Sequence, residues 1–363
     1  MKKIRWGIIG AGNIALAFAQ DVHLLPDAEV LAIGSRSLNK AEQFANKLNI
    51  PRPYGKYNDL VSDSDIDVVY IATPHVFHKE HALLCLEHGK SILVEKPFTT
   101  SAAEAAEVIK FARHKKLFCM EAMWMRFIPA MRKTVEFIKS GELGDIQMIS
   151  ASLGFYNEID PEHRLFNPDL GGGALLDLGV YPLSFIMQIL GRPSTISSKA
   201  IIGETNVDEY AAVLFGFPGG QIAQLTTNIR ATQRNDAYII GTSGTMLVHA
   251  PLYRPTKLTL SRNSSPIGEL SQNNELIARL KENKAARSAY RQWKRFSSLL
   301  QGTQNLKINC DGNGYGYEIT EVGQCLRASN IESKIMPLVE TLAIMETMDN
   351  IRQQWPIEET SFK

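Results

Sequence analysis

The chain has little cysteine: 4 in 363 residues. None are paired as C-x-x-C, which excludes a disulfide scaffold and a zinc ribbon. Cys85 and Cys119 lie in apolar stretches and read as buried thiols in a reducing compartment. There is no excess of either charge, 39 Lys+Arg standing against 38 Asp+Glu for a formal net charge of +1. That removes the global basic field of a dedicated nucleic-acid binder. No apolar run reaches the ~18 residues that a membrane helix needs. No repeat of roughly 20–50 residues and no low-complexity tract appears. With 44% hydrophobic and 21% charged residues, a disordered chain is excluded as well. What remains is longer than the ~250–300 residues at which single cores stop growing, so two domains are expected.

The start imitates a secretion signal. Met1-Lys2-Lys3 precedes an apolar stretch ending in Ala17-Phe18-Ala19, with small residues at a cleavage-like position. Asn13 and Gln20 interrupt it, however, and Gly10-Ala11-Gly12 falls where a strand over 4–9 must turn into a helix from Asn13. A cytoplasmic protein is therefore expected.

The first third alternates two periodicities. Apolar runs at 29–34, 67–72, 91–95 and from 117 read as buried strands, and 38–48 and 78–88 as helices. The second helix closes at Gly89, a C-cap residue. Ser101, with Glu104 three residues on, opens a further helix through Lys116 as a capping box. Strands alternating with helices make an α/β unit, a doubly wound parallel sheet covered on both faces. The pattern then changes. Residues 146–155 alternate in places; 210–217 and 221–229 flank Pro218-Gly219-Gly220, a hairpin signal. Residues 237–241 and 245–249 flank Thr242-Ser243-Gly244, and 257–261 is one more strand. The second unit is thus expected to be α+β on a large, mainly antiparallel open sheet. Its uncovered face invites a second copy of the chain.

Three segments carry chemistry. Gly10-Ala11-Gly12-Asn13-Ile14-Ala15 fits G-x-G-x-x-G/A between a strand and a helix, the turn that lets backbone approach a pyrophosphate. About 20 residues on, an NAD-selective site places a carboxylate on the ribose. Here the chain reads Gly34-Ser35-Arg36-Ser37, a cation with hydroxyls, so NADP is expected rather than NAD. Glu95-Lys96-Pro97 ends a buried strand, where ligands of such sheets lie. Gly171-Gly172-Gly173 precedes an apolar helix on which Asp177 and Tyr181 stand at i and i+4, on one face.

Taken in order, GIIGAGNIA, IATPHVFHKEHALLCLEHGKSILVEKPF and GGGALLDLGVYPL resemble the glucose–fructose oxidoreductase/inositol dehydrogenase (Gfo/Idh/MocA) family. EAMWMRFIPA and Tyr181 are similar to its dimeric dihydrodiol dehydrogenase branch, which also oxidises D-xylose with NADP. The C-terminal GYGYEITEVGQCLRASNIES and MPLVETLAIMETMDNIR extend the likeness over nearly the whole chain. The resemblance implies a Rossmann domain over 1–122 and a substrate-binding, oligomerising α+β domain over 123–363. It also implies hydride transfer between NADP and a sugar, polyol or trans-dihydrodiol. Gly10, Gly12, Asn13, Ile14, Ser35, Arg36, Thr73, Pro74, His75, His78, Glu95, Lys96 and Arg164 would meet the cofactor. Trp124, Arg126, Asp177 and Tyr181 would line the substrate pocket. At position 163 this chain has His where the family pairs Trp with the Arg that follows it.

A base must take the hydroxyl proton when hydride leaves a carbinol carbon. Tyr181 is the candidate, with Lys96 expected to lower its ordinary value near ~10 and Asp177 to orient Lys96 or bind a substrate hydroxyl. Lys96 as the direct donor is the rival assignment. His75, His78 and His81 are spaced by three, but they drift around a helix axis and no metal is expected. The alternative to an enzyme is a catalytically silent NADPH sensor, which needs only the nucleotide residues. One segment departs from the family: 263–304 begins polar and turn-rich. Residues 275–304, with seven basic side chains against two acidic ones, read as a basic amphipathic helix. Packing on the second domain is the expectation for it, with neither membrane nor nucleic acid as partner.

Overall fold

The computed structural model describes residues 3–262 and 302–355. The first sheet is built from β1 (Ile4–Ile9), β2 (Ala28–Gly34), β3 (Arg52–Tyr54), β4 (Val68–Ile71), β5 (Ser91–Glu95) and β6 (Cys119–Ala122). Its strands lie in the order β3-β2-β1-β4-β5-β6, all parallel. Between them run α1 (Asn13–His23), α2 (Leu38–Leu48), α3 (Tyr57–Val61), α4 (His78–Glu87) and α5 (Ala102–Lys115). Every residue of β4, β5 and β6 is buried, which is why these strands read as unbroken apolar runs. The Ser101 half of the capping box at α5 forms, its Oγ accepting the Glu104 N–H at 3.4 Å, while Glu104 Oε2 accepts the N–H of Thr100, one residue before the cap, at 3.1 Å.

After α6 (Pro129–Lys139) comes the second sheet, opening with β7 (Ile146–Gly154). A widened π turn, Leu175–Gly179, then leads into α7 (Val180–Leu190). The remaining strands are β8 (Thr195–Ile202), β9 (Asp208–Gly216), β10 (Ile222–Asn228), β11 (Ala237–Gly241), β12 (Gly244–Val248), β13 (Lys257–Arg262) and β14 (Thr303–Lys307). Their order is β14-β13-β12-β11-β7-β10-β9-β8. All pairs are antiparallel except β7 with β10. The two hairpins expected at 218–220 and 242–244 are β9–β10 and β11–β12. By length and composition Pro168–Leu190 is apolar enough to cross a membrane; 78% of its apolar window is buried inside the molecule, so it is a core helix.

Two differences from the sequence reading stand out. The basic helix expected to run to Gln304 cannot do so, because Thr303–Lys307 is a strand hydrogen-bonded to β13. The rest of that segment lies outside the described residues. The chain also does not stay with the second sheet after residue 122. Its last helices, α8 (Gly316–Arg327) and α9 (Leu338–Arg352), return to the first. Helix α8 packs on α1, while α9 lies against α5 and β6 on one side and α7 and β8 on the other. Asp21 of α1 anchors this return, accepting N–H groups from Asn313, Tyr315 and Gly316.

Candidate active site

In the strand order of the first sheet the connections reverse direction between β1 and β4, and a ligand crevice opens beyond the carboxyl ends of such strands. Gly10 sits there with φ +102°, and a Cβ on it would stand 2.6 Å from the Ala72 carbonyl oxygen, so only glycine fits this turn. Gly12, at the cap of α1, is the opposite case: a Cβ there would meet nothing within 4 Å. Asn13 and Ile14 beside it are exposed. The first N–H groups of α1 thus face open space at a positive helix end, a fit for a dinucleotide pyrophosphate. Ser35 is buried where β2 ends, and Arg36 next to it is exposed at the same rim.

Beyond β4 the three histidines each have a protein partner. His75 Nδ1 lies 3.1 Å from the Gly171 carbonyl. Burial pushes this imidazole down to about 3, with Asp177 opposing, so the neutral ring donates from Nδ1 and keeps Nε2 as an acceptor. His78 bridges the Thr73 and Pro97 carbonyls at 2.8 and 2.9 Å, tying the loop after β4 to the one after β5. His81 Nδ1 is 3.0 Å from Thr73 Oγ1.

Lys96 leaves the end of β5 next to a cis bond to Pro97. Its ammonium donates to the Asp177 carbonyl at 2.7 Å and to Asp177 Oδ1 at 3.1 Å. It also stands 4.8 Å from the centroid of the Tyr181 ring. Arg164 adds a second cation, its Nη1 2.7 Å from Asp177 Oδ1. Burial alone would raise the Asp177 carboxyl, but Lys96 and Arg164 overcome it and hold the group far below the carboxylate range. Asp177 is therefore an anion fixed between two cations. Glu95 is buried, with Tyr70 donating to its Oε1 and burial raising its carboxyl.

Tyr181 differs from the expectation. The Lys96 ammonium lies over its ring rather than at its hydroxyl, and the hydroxyl accepts a hydrogen bond from Trp124 Nε1 at 3.0 Å. Burial, then Glu95 and Tyr315, push the phenol well above its ordinary value. The lowering expected from Lys96 is corrected: desolvation and the two acidic neighbours outweigh one cation placed over the ring face. Arg126 is also redirected. It is 1% exposed, its Nε donating to Ser184 Oγ at 2.8 Å and its Nη1 to Glu340, so it braces the interior instead of lining a pocket.

Of the aromatic wall at the site, sequence reasoning expected Trp124 in the substrate pocket and missed Tyr253, Tyr315 and Phe155. Trp124 stacks on Tyr315 with centroids 4.9 Å apart, and Tyr253 stands 5.7 Å from Trp124 and 5.9 Å from Tyr181. Phe155 completes it, 6.2 Å from Tyr253. These residues come from four separate stretches, and only the fold brings them together.

A glycine turn for a dinucleotide, facing a lysine–aspartate–tyrosine cluster, defines an NAD(P)-binding oxidoreductase. Residues 4–123 match the oxidoreductase family described as having an NAD-binding Rossmann fold, and residues 131–247 match the GFO/IDH/MocA C-terminal domain. The chain belongs to the Gfo/Idh/MocA family. It is 36% identical over 354 residues to trans-1,2-dihydrobenzene-1,2-diol dehydrogenase of Mus musculus, covering 96% of both chains. The enzyme of that name from Homo sapiens is 32% identical over 357 residues, again with 96% of each covered. Among solved structures, a 3-ketoreductase from Actinomadura kijaniata in complex with NADP and TDP-benzene superimposes with a TM-score of 0.78 at 22% identity, covering 98% of each chain. An aldose–aldose oxidoreductase from Caulobacter crescentus complexed with glycerol gives 0.80 at 17% identity and 97% coverage of each. At such identities the structural likeness speaks for the fold.

Proposed function

We propose that this oxidoreductase moves a hydride between NADP and a carbinol or carbonyl carbon of a sugar, polyol or trans-dihydrodiol. The observation that carries this reading is the Lys96–Asp177–Tyr181 cluster beyond the carboxyl end of β5. Bound NADPH would supply the hydride; Gly12, Asn13 and Ile14 would hold its pyrophosphate, and Ser35 with Arg36 would suit a 2′-phosphate. As the carbonyl carbon gains hydride, Tyr181 gives its proton to the oxygen and is reprotonated from solvent. Two of the three donors of the Lys96 ammonium are engaged by Asp177, leaving one for that oxygen. Such a cation stabilises the developing alkoxide. A phenol kept protonated suits reduction near neutral pH, and oxidation is expected to gain at alkaline pH.

The aromatic wall of Trp124, Tyr253, Tyr315 and Phe155 favours a ring with one apolar face over an open-chain polyol. The second sheet exposes Leu214, Ile222 and Tyr238 on its uncovered face, which supports assembly as a homodimer through that sheet. The test is NADP and NAD reduction at 340 nm with cyclic trans-diols, pyranoses and open-chain polyols. Turnover of ring substrates with NADP is expected. Tight NADPH binding without turnover of any of them would replace the enzyme with the silent sensor.

A further inference from the structure

The segment that presents Asp177 and Tyr181 starts under the control of a residue from a distant strand. Asp208, 7% exposed, opens β9, and its Oδ2 accepts the Leu175 N–H at 2.7 Å. On its other side, a Cβ on Gly173 would stand 2.1 Å from Asp208 Oδ1, and Gly173 has φ +114°. The carboxylate occupies the space that any side chain at 173 would take, so the glycine and the acid form one fitted pair. The neighbouring strand helps, Thr227 Oγ1 donating to the Ala174 carbonyl at 3.3 Å.

A helix start leaves N–H groups unpaired and carries a positive end. The π turn Leu175–Gly179 has no cap from a side chain of its own preceding residue, Ala174. Asp208 supplies the missing acceptor from β9. Asp177 follows Leu175 by two residues and Tyr181 by six, so the place where the turn begins sets the position of both. Burial pushes the Asp208 carboxyl up to about 7, against the N–H groups of Leu175 and Ala174 and the Arg352 cation. A buried acid kept at a cost to the fold is expected where a site depends on it.

We propose that Asp208 is a positioning residue for the reaction: by fixing the start of the π turn it holds Asp177 against Lys96 and Tyr181 beneath the Lys96 ammonium. The kinetic part of this rests on the roles given above to Lys96 and Tyr181. The structural part does not.

The test compares Asp208→Asn, which keeps an acceptor oxygen in place, with Asp208→Ala, which removes it. Asp208→Ala should lower kcat roughly ten- to hundredfold, the scale of a misplaced reacting group. The Kd for NADPH, read by fluorescence titration, should stay unchanged. Asp208→Asn should recover most of kcat. Hydrogen–deuterium exchange over 174–181, which needs no substrate, should speed up in Asp208→Ala and stay near wild type in Asp208→Asn. Where Asp208→Ala does not fold, Asp208→Ser, too short to reach Leu175, takes its place. Unchanged exchange in the shortened variant, or equal losses in kcat for Asn and Ala, overturns the proposal. If the wild-type protein turns over no diol or sugar, the functional reading fails while the exchange comparison still decides the role of Asp208.

Discussion

The two sheets solve different problems. In the first, β4, β5 and β6 are buried on both faces, and the sheet gives the crevice mostly backbone, the Gly10–Gly12 turn after β1 and the loops tied by His78, with the Lys96 side chain reaching across from the end of β5. In the second, β8 alternates between exposed and half-buried along its length, and that half of the molecule offers side chains, Asp177 and Tyr181, from a helix laid across the sheet. A parallel sheet inside two helical layers has little freedom to vary, which suits the invariant parts of a nucleotide. A sheet with one open face and long connections can change what it presents, which suits a substrate. The site exists only where one half reaches the other, at the Lys96–Asp177 ion pair.

Removing the arm that crosses from the first sheet should have the largest effect. Lys96→Ala leaves the buried Asp177 anion with Arg164 and His75 and withdraws the charge facing the developing alkoxide, so kcat should fall about a thousandfold in steady-state assays. On the other side, Tyr181→Phe keeps the ring under the ammonium and removes only the hydroxyl. It should cost at least roughly a hundredfold in kcat with NADPH binding intact, the usual scale of general acid–base catalysis. Near-normal turnover of this variant, with Lys96→Ala inactive, would move the proton donor from the second half to the first.

The smallest effect concerns the seam between them. Glu121 lies in β6, one residue before its end, is fully buried, and its Oε1 accepts the Phe98 N–H at 3.2 Å. Burial pushes its carboxyl up to about 7, with Arg126 opposing, from an ordinary 4.5. The folded state therefore holds a proton that the unfolded chain releases earlier. The stability this contributes is full below the unfolded value and is lost as pH rises through about 7. Glu121→Gln cannot titrate, so the drop in Tm between about pH 5 and pH 8 should shrink in thermal melts. Asp208, Glu95 and Glu318, whose carboxyls burial also raises, act in the same direction, and His75, His78 and His81, whose rings burial lowers, act against it. A drop of unchanged size would remove Glu121 from the seam's titration.

The same contrast governs what could be read from the chain. Strands buried on both faces announce themselves as apolar runs, and 91–95 was placed to the residue. The edge strand β8, TISSKAII, has no deeply buried face and leaves no such mark; β14 begins inside the stretch that reads as helix to Gln304 and ends beyond it. At the site, the residue types of Lys96, Asp177 and Tyr181 were legible because each sits in a local motif. Their environment was not. Only the fold brings Glu95 and Tyr315 to bear on Tyr181, and the second of these lies 134 positions further along. Asp208 escaped for the same reason: a lone acid at the start of a strand looks like any other until Gly173 stands against it.

The return of α8 and α9 to the first sheet has a consequence for the newborn chain. A ribosome releases β1 to β6 first, yet the sheet they form then lacks the two helices that cover α1, α5 and β6 in the finished protein. Asp21 waits for partners nearly three hundred residues away, and the N–H of Ala102 waits for Asp349. Contacts of such long sequence separation form slowly. The half of the molecule that is synthesised first is the half that is completed last.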